Sequence, residues 1–259
     1  MKRKTLSLLF MVFVINSAMA QTERLFKTGF EFNSKLNDTG IKWAGEYPTG
    51  NNGDCSSSTI SHLQDCHLGR DADPLTNSDA DGHAGFSFTK LDTNGVPLVE
   101  QNVDYTTTPW VCVQDNVSGL VWEVKTITAG KHNKDNLYQW GGLTAVGRGH
   151  PDAEGAYYDD WNDLVQESNT EVLCGFDNWR MPTIVELVDL VNKGTFNPDT
   201  NPSIDINYFP NTEPEWFWSS SPTSFGGSSS YAWMVHYGYG NDSNGGRNGT
   251  YRVRLVRGL

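Results

Sequence analysis

The sequence predicts an α+β domain, with two short helices and a twisted antiparallel sheet, carried behind an irregular N-terminal extension. Three observations lead there. A helix start with its own cap stands at Thr183, and tryptophan-rich alternating segments follow it to the C-terminus. Residues 21–102, by contrast, are so rich in Gly, Asn, Asp, Ser and Thr that few runs in them are long enough for a helix.

The elements follow in chain order. Residues 1–20 place Lys2, Arg3 and Lys4 ahead of an apolar run from Leu6 to Ile15 and end in Ala-Met-Ala before Gln21. That order is a secretory signal with cleavage expected near Ala20, so the mature chain is expected to be secreted, to the periplasm, the medium or the cell surface. Neither the apolar run nor any later segment approaches the roughly 20 apolar residues of a membrane helix. In the extension, 21–102, the strand candidates are Leu25–Phe32 and Phe86–Leu91, with turn-forming sequence such as Pro48–Asp54 between them. Four cysteines in an exported chain imply two disulfides; the expected pairs are Cys55 with Cys66 and Cys112 with Cys174. Closing the longer loop contributes roughly 4 kcal/mol on the chain-entropy model.

The main domain is expected over 103–259. Trp110–Val113 and Gly119–Val124 read as strands joined by a tight reversal at Asn116 and Gly119. A first helix is expected to begin near Asp159 or Asp160, with Trp161, Leu164 and Val165 on its buried face. In the second, Thr183 is the N-cap, Glu186 completes a capping box, and Pro182 blocks any helix from upstream. Ile184, Leu187, Leu190 and Val191 form its apolar stripe, and Gly194 ends it. In the last strand Tyr251, Val253 and Leu255 share the core face, so Arg252 and Arg254 are expected to point away, to solvent or to Asp115 or Glu123. Asn241–Gly249 reads as a polar loop before that strand.

Removing the signal leaves 16 basic against 31 acidic residues, or −15. Such a surface repels phosphate backbones, which excludes nucleic acid as a partner. Enzyme chemistry finds no foothold either. There is no GxSxG and no HExxH, and the histidines at 62, 67, 83, 132, 150 and 236 form no helical pair.

The C-terminal motifs carry a resemblance. DNVSGLVWEVKT, WRMPT, FPNT, WFWSSSP, YAWMV and YRVRLVRG, in that order over residues 104–258, resemble the Lcl C-terminal domain family, named after the C-terminal domain of the Legionella collagen-like adhesin. The resemblance implies a bacterial exported or surface protein that binds or adheres. More distantly it implies a C-type lectin-like fold, whose N- and C-terminal strands pair and whose loops before the last strand hold ligand. The collagen-like repeats of the namesake are missing here, and the charge of −15 opposes a sulfated glycan.

Two places are candidate sites. Tyr237 and Tyr239, two apart on an expected strand, are read as an aromatic platform beside Asn241, Asp242, Asn244, Arg247 and Asn248, together holding an extracellular glycan or surface protein. His236 stands beside them, with an ordinary strand position as its plainer reading. Asp71, Asp73, Asp79 and Asp81, ahead of Gly82, form the candidate calcium loop, although the EF-hand template fails for want of a closing glutamate. Trp161-Asn162-Asp163 spells a lectin triplet but stands at a helix start, where an inward-packed tryptophan is the better reading.

Overall fold

The structure, a computed structural model, describes residues 36–46, 51–55, 64–65, 69–72, 79–141, 161–195, 202–225 and 228–258. The expected signal, the candidate strand Leu25–Phe32, Cys66, Asp73 and the expected helix start at Asp159–Asp160 lie outside them. Residues 37–259 form one compact unit.

A small antiparallel hairpin, β1 (Trp43–Glu46) and β2 (Asn51–Asp54), comes first. The main sheet follows, in the order β3 (Phe88–Leu91), β4 (Cys112–Asp115), β5 (Leu120–Glu123) and β9 (Val256–Gly258), antiparallel throughout. β4 and β5 stand where alternation placed them. Gly119, at φ +78°, closes their reversal by donating its N–H to the Asp115 carbonyl at 2.9 Å. Because β3 pairs with β4, the expected boundary at 102/103 falls inside the sheet, and the last part of the extension belongs to the main domain.

The second sheet has the order β6 (Trp216–Phe225), β7 (Ser228–His236) and β8 (Asn241–Gly246). A parallel bridge from Phe217 to Arg252 ties it to the C-terminal segment. Helix α1 spans Trp161–Thr170 with Leu164 buried and Trp161 and Val165 partly so, as its spacing requires. Helix α2 spans Ile184–Asp189. Its capping box is complete: Thr183 Oγ1 accepts from Glu186 N at 3.3 Å, and Thr183 N donates to Glu186 Oε2 at 2.7 Å. Arg180 then grips the same carboxylate with both guanidinium nitrogens, at 2.9 and 2.6 Å, so WRMPT fixes this helix start through charge as well as backbone. The helix stops short of Gly194 because Leu190 already leaves the α-helical ladder as its C-cap.

Tryptophans fill the interior. Trp110, Trp122, Trp179 and Trp218 are buried, and three of them donate their indole N–H to carbonyls, of Tyr208, Leu173 and Tyr138 respectively, each at 2.9 Å.

Two expectations fail in the core. Arg254 is fully buried: its guanidinium donates to the Glu123 carbonyl at 2.5 Å and to Thr212 Oγ1 at 2.6 Å, and lies over the Phe209 ring. Strand alternation misplaces it because Tyr251 and Arg252 form only isolated bridges and the continuous strand begins at Val256. Cys112 and Cys174 are both buried but are free thiols. Cys174 sits in the left-handed region at φ +55° and its Sγ is directed to the Asp92 carbonyl at 3.1 Å. The expected pairing of Cys55 with Cys66 falls partly outside the described residues.

Candidate recognition surface

Strand β7 ends at His236, and the chain reverses at once. Tyr239 N and Gly240 N both donate to the His236 carbonyl, at 3.2 and 2.7 Å. Two glycines permit so tight a turn. A Cβ on Gly238 would lie 2.7 Å from both the His236 ring and the Pro214 carbonyl, and Gly240 adopts φ +61°. Lys193 then fastens the turn by donating its ammonium to the Gly240 carbonyl.

The turn separates the two tyrosines that strand spacing would put side by side. Tyr237 is wholly buried, its hydroxyl donating to the Leu187 carbonyl at 3.1 Å and its ring edge-on to Phe217, so it holds α2 to the sheet and meets no ligand. Tyr239 is 60% exposed. Its ring lies 4.5 Å from that of His236, which in turn meets the Trp216 ring edge-on at 4.7 Å. His236 Nδ1 accepts from Gly238 N at 3.0 Å and Tyr239 N at 3.2 Å, which places the ring proton on Nε2. Burial lowers the His236 pKa, with nearby Glu215 opposing, so the imidazole is neutral at pH 7. The sequence marks His236 only by its place in MVHYGYG, where an ordinary strand position is the plainer reading, and it carries no signal for Trp216.

The expected polar loop is also corrected. Asn241–Gly246 is strand β8, paired with β7 from Tyr231↔Gly246 to His236↔Asn241. Its composition hid it, since no hydrophobic period marks a glycine- and asparagine-rich edge strand. Asn241, Asp242 and Asn248 are exposed, and Asn244 is partly so. Arg247 is fastened, stacked 4.1 Å over Trp140 and donating Nε to the Tyr231 carbonyl at 3.1 Å. The exposed residues at the turn are therefore Tyr239, Asn241 and Asp242, with His236 and Trp216 behind Tyr239, while Asn248 is exposed beyond the far end of β8.

Among the described candidate calcium residues, Asp71, Asp79 and Asp81 do not share one cluster. Asp79 pairs with Lys42 at 2.8 Å and accepts from Ala84 N at 2.9 Å, while Asp81 accepts from Ser87 Oγ at 2.7 Å. Asp71 instead converges with Asp38 and Asp65, one carboxylate oxygen of each lying within 4.8 Å of the others. Burial, and then repulsion from Asp38 and Asp65, push Asp71 up to about 6. Separations of 33 and 6 residues in the chain left this convergence without a sequence signal. In the lectin triplet, Trp161 packs edge-on to Trp140 at 5.7 Å and Asn162 donates to the Gly141 carbonyl at 2.7 Å, both structural uses.

Fold and surface together define a small α+β domain, closed by pairing its last strand to β5, that displays an aromatic patch on a tight turn. The chain belongs to the Lcl C-terminal domain family, whose profile matches residues 111–257. No curated protein and no solved structure matches the chain. Among the described residues no helix is long and apolar enough to cross a membrane.

Proposed function

We propose that this protein is an extracellular, adhesin-like binding module that holds a surface glycan or protein with the patch built from Tyr239, His236 and Trp216 and the adjoining polar residues of β8. The observation that carries the proposal is Tyr239. An exposed tyrosine whose ring rests on a buried, neutral histidine has little side-chain freedom left to lose, so a ligand can stack on it at low entropic cost. Asn241 and Asp242 supply donors and acceptors beside it. The family points the same way, as does the expected signal sequence. The C-type lectin-like fold belongs to this proposal and is supported by the pairing of β5 with β9 near the two ends of the domain.

Retention of the mature chain on printed glycans and on whole cells tests the reading, with Trp216→Ala and Tyr239→Ala beside the parent. Loss of retention in both variants with unchanged unfolding supports it. Retention equal to the parent's in both removes it.

A second reading rests on β8 itself, which ends the second sheet with no strand on its outer side among the described residues. Such an edge offers backbone donors and acceptors to another chain, as an assembly subunit would require. A stable envelope partner that co-purifies with the mature chain, and is lost when Ser243 becomes Pro, would favour it.

A further inference from the structure

A second concavity has no residue in common with the patch. It is a cleft of about 730 Å³ between the 101–106 and 205–211 segments. Its aromatic groups are already engaged. Trp110 is buried, with Tyr105 edge-on at 4.9 Å, and the Lys90 ammonium lies 4.3 Å from the Trp110 ring centre and 5.1 Å from that of Tyr208. Lys90 also donates to the carbonyls of Gln101 at 2.9 Å and Val103 at 3.0 Å.

Charge decides which ligands fit. An organic cation would look for open aromatic faces, and here an ammonium already covers them. An anion would meet the carboxylates of Asp79, Asp104 and Asp205, while the one ammonium in the lining is committed to two carbonyls. An apolar ligand would strip water from this lining without replacing its hydrogen bonds. A neutral, hydroxyl-rich ligand avoids all three penalties. Asp205 is buried, its carboxylate held by Asn207 N at 3.0 Å and His83 N at 3.3 Å, and so is a fixed acceptor. Asp104 accepts from Thr106 through Oδ1, at 2.8 Å from N and 2.6 Å from Oγ1, and its Oδ2 takes no protein hydrogen bond among the described residues. The amides of Asn102 and Asn207 add donors from exposed positions.

We propose that this cleft is a second binding site, for a neutral saccharide unit, with Asp104 and Asp205 accepting from its hydroxyls and Asn102 and Asn207 donating to them. The site does not depend on the Tyr239 patch.

The test is titration of the ¹⁵N-labelled mature protein with the methyl glycosides of glucose, galactose, mannose and N-acetylglucosamine, with choline and sulfate as charged controls. At least one glycoside is expected to shift the amide signals of 102–106 and 205–211. Asp104→Ala with Asn207→Ala, both at exposed positions, should weaken that response by about tenfold or more, with the amide signals outside 102–108 and 205–211 unchanged as the check on the fold. Tyr239→Ala should leave it intact, which separates this site from the patch. The proposal is overturned if none of the glycosides shifts these signals, if only choline or sulfate does, or if the double variant responds like the parent.

Discussion

Glu123 is the group whose replacement tests the packing of this domain most sharply. It is wholly buried on β5, yet it accepts from Lys125 Nζ at 2.7 Å, lies 2.7 Å from His132 Nδ1, and accepts from Leu255 N at 2.8 Å. Burial alone would raise its pKa, but Lys125 and His132 outweigh that and leave it at about 2. A folded pKa below the unfolded one, roughly 4.3, means that the carboxylate stabilises the fold above the unfolded value and that this contribution fades as pH falls through about 2. Somewhat over two pKa units correspond to about 3 kcal/mol. That is an upper figure, since burial lowers the Lys125 pKa more than Glu123 raises it. Removing one member of a buried pair costs roughly 3–5 kcal/mol in general, which agrees. Glu123→Gln keeps the shape and an acceptor for Leu255 N but leaves the Lys125 ammonium buried without its counter-charge. Urea unfolding should show a loss of about 3 kcal/mol at pH 7 that shrinks to less than half by pH 3. A loss below about 0.5 kcal/mol, or one that does not shrink with acid, would mean that the buried Glu123 carboxylate does not stabilise the fold through Lys125 and His132.

Other sites give smaller effects. Asp189 is pushed up to about 7 by burial, with Asp115 adding repulsion, so it costs stability as pH rises from about 4 through 7, by up to about 4 kcal/mol for roughly three pKa units. Asp189→Asn should therefore gain stability at pH 8, by no more than that because the carboxylate also accepts from Asn37 N at 2.8 Å and Asn37 Nδ2 at 3.3 Å, and the gain should be nearly gone at pH 4, as read by thermal unfolding. Burial, and next the neighbouring Cys174, hold the Cys112 thiol well above its usual range, so iodoacetamide should label neither residue in the native protein at pH 8 and both in guanidinium; a mapped Cys112–Cys174 disulfide would contradict the free thiols. If a cation relieves the repulsion among Asp38, Asp65 and Asp71, millimolar calcium should raise the melting temperature, and Asp71→Asn should reduce that rise while Asp79→Asn with Asp81→Asn leaves it unchanged.

What the sequence reveals divides along a physical line. Local signals were legible: Thr183 and Glu186 announce α2, Asn116 and Gly119 announce the β4–β5 reversal, and the tryptophans announce the core. Features set by long-range contacts were not. Arg254 looks solvent-facing in an alternating strand and is buried because Thr212 and the Glu123 carbonyl, 42 and 131 residues away, satisfy its guanidinium. Tyr237 and Tyr239 share a strand face only if the strand continues, and the turn after His236 sends one inward and one outward. β8 has no hydrophobic period to detect, since pairing with β7 rather than its own side chains makes it a strand.

The most direct test of the account compares these two tyrosines on printed glycans and whole cells. Tyr239→Ala should lower retention by about tenfold or more with an unchanged melting temperature, as expected for an exposed aromatic contact. Tyr237→Phe, which removes the hydroxyl bonded to the Leu187 carbonyl, should cost about 1 kcal/mol of stability and leave retention at the parent level. If Tyr239→Ala is retained as well as the parent, the recognition surface is not the patch around His236 and the functional assignment is wrong.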